Sequence, residues 1–297
     1  MQRTKVRGAY TALVTPFDVS GKIDELRLRE QITRQIQAGM TGIVPVGTTG
    51  ESPTLSMEEH LRVIELSVRF ADGNVEVLAG TGANSTDEAI YLTKEAERLG
   101  VGGSLQVAPY YNKPSQEGLF QHFCAIAKET GLPITLYNIP GRCGVDITVD
   151  TVCRLKESAP NVVGIKVANG SMDYVTELRA RLGHDFTILS GDDSLTLPFI
   201  SVGADGVISV ASNVVPEMLA EMLRMTYVGN FTSAREVHAR LYALTKSLFL
   251  EGNPVGVKSA MEQLGLDSGV VRLPLVKVQP MTASAIRKEL VALGLCE

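Results

Sequence analysis

LPITLYNIPGRCGVDITVDTVCRLKESAPNVVGIKVA, residues 132–168, holds one full repeat of the pattern that decides the fold. LPITLYN (132–138) and VVGIKVA (162–168) are short apolar runs that read as strands, and a helix-like stretch separates them. Runs of the same kind lie upstream at GAYTALVTP (8–16), GIVPVG (42–47), VEVLAGTG (75–82) and GGSLQVAP (102–109), and downstream at FTILSG (186–191) and GVISVAS (206–212). Helical periodicity fills the intervals. Leu28, Ile32, Ile36 and Met40 recur every four residues, which predicts one apolar helix face. Ser56 with Glu59, and Ser85 with Glu88, have the S-x-x-E spacing of a capping box at a helix start.

Eight such strands, each followed by a helix-like stretch before about residue 228, predict an α/β protein of the (β/α)8 TIM-barrel class. Their near-continuous apolar character suits parallel strands covered on both faces. A doubly wound open sheet is the competing architecture. It usually offers a Gly-rich phosphate turn after its first strand, and LVTPFDVSGKID (13–24) has no such fingerprint. Beyond residue 228 the alternation stops, and 231–250, 254–265 and 282–295 read as helices. The expected organisation is a catalytic barrel over 1–228 and a C-terminal helical extension over 229–297.

Bulk properties narrow the function classes. Of 297 residues 44% are hydrophobic, enough for a sizeable core, and the 21% charged fraction argues against disorder. A net charge of −5 gives no basic face for phosphates, so no nucleic-acid partner is expected. The opening MQRTKVRGAY lacks the apolar core of a signal peptide, and no apolar run reaches the roughly 18–20 residues that span a bilayer. Cys124, Cys143, Cys153 and Cys296 form no CxxC pair, and read as reduced, mostly packed thiols in a cytoplasmic protein.

In parallel barrels the chemistry sits at the C-terminal ends of the strands, so the reactive side chains there are the ones to weigh. Strand two ends in Gly47-Thr48-Thr49-Gly50-Glu51, whose glycines allow a tight turn with exposed N–H groups suited to a small carboxylate. An ordinary polar turn is the competing reading. Strands four and five end in Tyr110-Tyr111 and Tyr137, the latter followed by Arg142. Buried tyrosines usually pack with one hydroxyl partner, but three at strand ends beside Thr48 allow a proton relay. Strand six carries Lys166 among apolar neighbours. Burial of that kind lowers an amine's pKa and frees it to attack carbonyls, whereas an edge-strand lysine would snorkel to water. Asp192 and Asp193 after strand seven read as a helix N-cap, and no further acid or His at ligand spacing supports a metal site. His60, His122, His184 and His238 offer no paired catalytic base.

GTTGE (47–51), PYYNKPSQEGLFQHF (109–123), YNIPGR (137–142), GIK (164–166), SGDD (190–193) and GVISV (206–210) together resemble the dihydrodipicolinate synthases of the N-acetylneuraminate lyase superfamily. The likeness runs from ALVTPF (12–17) to EGNPVGVK (251–258) and VRLPLV (271–276). It implies a lyase of lysine and diaminopimelate biosynthesis that condenses pyruvate with aspartate semialdehyde. Lys166 would form the imine, with no cofactor beyond that covalent adduct, and Tyr137 would shuttle protons. Thr48 would link Tyr137 to a Tyr111 from a neighbouring subunit of a homodimer or dimer-of-dimers tetramer. Thr48 and Thr49 would hold the pyruvate carboxylate, Arg142 that of the semialdehyde, and Gly191 and Ile208 would complete the substrate surface. Ser52, His60, Asn84, Glu88 and Tyr110 match a lysine-inhibition site, although Pro53 and Met57 depart from it. Cys143 and Val167 also depart from the family's usual threonine and acidic residue, beside Arg142 and Lys166.

Three other readings share parts of this chemistry. A related Schiff-base lyase or dehydratase for a sugar acid or a hydroxyproline-derived acid would keep Lys166 and Tyr137. A catalytically silent barrel would bind keto acids or amino acids without turnover. A pyridoxal phosphate enzyme also uses a lysine imine, but nothing here beyond the lysine supports it.

Overall fold

The computed structural model describes residues 6–297; Met1–Lys5, the opening of the stretch read above for a signal peptide, lie outside the described residues. The eight expected strands are all present: β1 (Gly8–Ala12), β2 (Gly42–Val44), β3 (Glu76–Gly80), β4 (Gly103–Val107), β5 (Ile134–Asn138), β6 (Val162–Val167), β7 (Thr187–Ser190) and β8 (Gly206–Ser209). They form a closed barrel in sequence order, the TIM-barrel fold. The strands are shorter than the apolar runs that announced them, because seven of the runs continue into the loop at the C-terminal end and the run 132–138 begins two residues before β5.

Contacts divide the chain into two compact units. One holds Glu76–Ile208 together with the stretch ending at Gly8, and the other holds Ala9–Val75 with Ser209–Glu297. In the first, β3 to β8 pair in parallel, with Tyr137 opposite Lys166 and Lys166 opposite Leu189. Its core lies between strands and surrounding helices, where Leu136, Ile165 and Val167 meet Phe123, Val152 and Val175. Side chains alternate along a strand, so the residue between Ile165 and Val167 turns to the other face, into the barrel. That residue is Lys166.

In the second unit β1 pairs with β2, Tyr10 opposite Gly42. Helix Glu25–Gln37 fits the four-residue repeat only in part. Leu28 and Ile32 are buried, but Gln35 takes the inward position expected of Ile36. Gln35 accepts from the Thr11 hydroxyl at 2.6 Å and donates to the Ser212 carbonyl at 3.2 Å, which satisfies its buried amide. Gly39 ends the helix with φ +74°, so Met40 lies beyond it. Ser56 and Glu59 form the reciprocal capping box, and the Ser85 hydroxyl accepts from the Glu88 N–H. The expected late helices are Phe231–Ser247, Val255–Gln263 and Pro280–Ala292. No described helix is long and apolar enough to cross a membrane.

Candidate active site

Lys166 is buried to 5% exposure on β6, with its Nζ 4.1 Å from the centre of the Tyr137 ring on the paired strand. Burial brings its amine down to about 7, the Asp193 carboxylate opposes that shift, and the Arg142 guanidinium adds to it. Among the described residues no carboxylate lies within ion-pairing distance of Lys166, so only the more distant Asp193 charge offsets the cost of its charged form. Gly191 makes room for it. A Cβ at that position would come within 3.0 Å of Lys166 Cε and 2.9 Å of the Ala168 methyl. Gly191 is fixed by its N–H to the Val167 carbonyl at 2.7 Å, and Ile208 on β8 is fully buried.

Arg142 stands in the short helix Pro140–Cys143, closed by Gly144 at φ +71°. Its loop is tied down from behind. Asn138, buried at the end of β5, donates to Asp146 Oδ1 at 2.5 Å and accepts the Ile147 N–H at 3.1 Å. Tyr174 donates its phenol to the Ile147 carbonyl at 2.5 Å. Arg142 itself is solvent-exposed.

The Gly47–Glu51 loop belongs to the other unit. Gly50 accommodates a close approach, since a Cβ there would sit 2.9 Å from the Val46 nitrogen. Val46 and Glu51 flank the turn with φ +50° and +56°, a backbone that side-chain-bearing residues rarely adopt and that commonly marks a functional segment. Thr49 is buried and accepts from Asn253 Nδ2 at 2.9 Å. Among the described residues nothing accepts from the Thr48 and Thr49 N–H groups or from the Thr49 hydroxyl. The turn therefore presents unspent donors, the chemistry of an anion-binding nest.

Glu51 ends the loop as one half of a fully buried ion pair, 2.6 Å from Lys258 Nζ. Its second oxygen accepts the Arg272 N–H at 3.0 Å, and Lys258 also donates to the Val270 carbonyl at 2.8 Å. Arg272 grips Glu59 through two bonds of 2.6 and 2.7 Å, which hold that carboxyl down at about 2. Lys258 and Arg272 lie 4.2 and 4.3 Å from the Phe17 ring centre.

Tyr111 is 90% exposed, on a loop where it takes φ +74°, and does not pack into the barrel. Three of the residues matched to an inhibitor site converge in one unit. Asn84 Nδ2 donates to the Tyr110 carbonyl at 3.2 Å, and burial and then the Glu88 charge push the Tyr110 phenol up. Ser52 opens a 3-10 turn and His60 is buried in helix Met57–Ala71, both in the other unit. Cys143 and Val167 join the hydrophobic core, and burial pushes the Cys143 thiol up to about 11. Those two departures from the family pattern are packing residues rather than lining for the amine.

Asp192 is the N-cap expected of it, accepting from Ser194, whereas Asp193 is buried and its charge reaches Lys166. That influence, and the parts played by Asn253 and Lys258, were not readable from spacing. The acid in GTTGE was the one signal, since a buried glutamate needs a cation. Among the described residues no three His, Cys, Asp or Glu are grouped to hold a metal.

Residues 5–293 match the dihydrodipicolinate synthetase family. The 4-hydroxy-tetrahydrodipicolinate synthase of Persephonella marina is 50% identical over 290 residues, which cover 97% of this chain and 99% of that one. The chloride-inhibited dihydrodipicolinate synthase from Acinetobacter baumannii complexed with pyruvate superposes with a TM-score of 0.96 at 42% identity, over 98% of this chain and 100% of that one. The enzyme from Cyanidioschyzon merolae with lysine bound gives 0.96 at 39% identity, over 99% and 100%. This chain, with its unpaired amine on β6 and its match over residues 5–293, belongs to the dihydrodipicolinate synthetase family.

Proposed function

We propose that the chain condenses pyruvate with L-aspartate 4-semialdehyde to 4-hydroxy-tetrahydrodipicolinate through an imine on Lys166. The observation that carries this is the buried amine held at about 7 beside Tyr137, which makes it a nucleophile near neutral pH. The amine adds to the keto carbon of pyruvate and water leaves, forming the imine. Loss of a methyl proton gives the enamine, whose carbon attacks the aldehyde. The amino group of the semialdehyde then attacks the imine carbon, closing the ring and releasing Lys166 as a free amine. The imine is the electron sink, so the sequence of steps calls for no cofactor.

The remaining roles follow from family membership and local chemistry. Tyr137 moves protons, with Thr48 as its link to a Tyr111 supplied by a second copy; a phenol needs such a relay because its own pKa is near 10. The exposure of Tyr111 supports that assignment. Thr48 and Thr49 take the pyruvate carboxylate, Arg142 that of the semialdehyde, and Gly191 and Ile208 shape the substrate surface. The working enzyme is a cytoplasmic homo-oligomer, a dimer or a dimer of dimers. Lysine binds at the Asn84, Glu88 and Tyr110 cluster with Ser52 and His60. The decisive test is a coupled assay with pyruvate and aspartate semialdehyde, with and without lysine, beside borohydride trapping with pyruvate. A trapped adduct mapped to Lys166 together with turnover supports the reading. An adduct without semialdehyde turnover would move the chain to another Schiff-base lyase, and no adduct would leave a binding barrel.

A further inference from the structure

We infer that Asn253, in the C-terminal helical extension, is a positioning residue that fixes the Thr49 hydroxyl as a hydrogen-bond donor to the substrate carboxylate. The inference rests on the reading that Thr49 meets pyruvate, and adds to it the group that sets the hydroxyl's polarity.

A threonine hydroxyl has one proton and two lone pairs, and rotates to suit its surroundings. Asn253 Nδ2 is donor-only and lies 2.9 Å from Thr49 Oγ1, with both side chains buried. That bond occupies a lone pair, so the proton must point elsewhere. No described residue accepts it, and the neighbouring Thr48 and Thr49 N–H groups are likewise unspent. Three unspent donors are thus gathered in one turn, which favours an anion over a cation.

Both sides of the bond are held rigidly. On the Thr49 side, Glu51 is locked to Lys258 and to the Arg272 backbone. On the Asn253 side, Gly256 packs so tightly on the Leu248 backbone that no Cβ fits. Lys258 and Asn253 stand five positions apart around the start of helix Val255–Gln263, so one segment both anchors the loop and orients its hydroxyl. Preorganised donors of this kind bind charge without reorganising when it arrives.

The test is a double-mutant cycle between Asn253→Leu and Thr49→Val. The pyruvate concentration that half-saturates borohydride trapping is read in each chain, beside its melting temperature. Asn253→Leu should raise that concentration roughly five- to tenfold, the scale of one neutral hydrogen bond. In the Thr49→Val background the same change should cost less than about twofold, because no hydroxyl is left to orient. Asn253→Asp, which turns the donor into an acceptor and draws the hydroxyl proton to itself, should weaken capture more than Asn253→Leu. Equal losses in the Thr49 and Val backgrounds, or a parent-like Asn253→Leu, would overturn the inference. Asn253→Ser in both backgrounds gives the same reading if the leucine chain does not fold. A parent chain that traps no pyruvate at Lys166 overturns the proposed function and this inference with it; trapping with equal losses overturns the inference alone.

Discussion

Lys166 and Lys258 are both lysines taken out of water, and they differ in everything that surrounds the nitrogen. Lys258 meets the Glu51 carboxylate at 2.6 Å, the Val270 carbonyl at 2.8 Å and the face of Phe17. Burial pulls its amine down, and the Glu51 carboxylate opposes that pull. Lys166 has the Tyr137 ring beside it, a carboxylate acting only at longer range, and the charge of Arg142 working against its proton. Equal burial therefore yields a structural cation in one place and a nucleophile in the other. What decides between them is whether a counter-ion was buried along with the amine.

Removing each nitrogen should separate the two roles most sharply. Lys166→Met should abolish the borohydride adduct and cut turnover by roughly a thousandfold or more, while the chain melts no lower than the parent, since an amine without an ion pair is lost. A retained adduct at the barrel site would end the nucleophile assignment. The linkage has a definite sign. Between about 7 and the ordinary 10.5 the unfolded chain carries a proton on Lys166 that the folded chain lacks. Stability of the parent relative to Lys166→Met should therefore rise with pH across that window, as measured by denaturant titration.

Lys258→Met should do the reverse. It strands a buried carboxylate, so about 3–5 kcal/mol of stability should go, and the loss should be visible in the denaturation midpoint. Adding Glu51→Leu should restore most of it, because a pair of apolar side chains leaves no charge behind. A double variant no more stable than Lys258→Met would show that the pair's worth lies in the Glu51 bond to Arg272 instead.

The comparison can also be inverted by giving Lys166 a partner. Leu189 is its register neighbour on β7, so Leu189→Glu sets a carboxylate beside the amine. In the parent, the rate of pyruvate trapping should climb as pH rises through about 7, because only the deprotonated amine attacks. In Leu189→Glu the midpoint of that rise should move up by about 1–3 pH units. An unmoved midpoint, in a chain that still folds, would mean that burial alone sets the amine's behaviour.

The barrel was legible in the sequence because parallel strands buried on both faces leave continuous apolar runs, and eight of them were countable. Lys166 was legible for the related reason that a charge interrupting such a run is conspicuous. Lys258 was not, because it sits in a helix, where a lysine usually reaches water, and its partner lies 207 positions away. Asn253 was hidden for the same cause: a bond across 204 positions leaves no local spacing. The helix Glu25–Gln37 misled in a smaller way. Gln35 looks like a surface residue until Thr11 and the Ser212 carbonyl are brought to it. Cys143 and Val167 looked like pocket residues only because of their sequence neighbours; strand alternation and the short helix after β5 turn both into the core.

Arg142 gives the smallest and most discriminating effect, because the proposed reading gives it a part in both halves of the reaction. Its charge helps to hold Lys166 low, so Arg142→Ala should shift the pH midpoint of pyruvate trapping upward. Its exposed fork is assigned to the second substrate, so the same change should raise the semialdehyde KM roughly tenfold, the scale of one charged hydrogen bond. Arg142→Lys separates the two, since an ammonium keeps the charge and loses the bidentate geometry. The midpoint should then stay near that of the parent while the semialdehyde KM remains high. A lysine variant that recovered both would reduce Arg142 to a source of field, and the carboxylate contact would have to be sought elsewhere on the loop that Asn138 and Tyr174 hold in place.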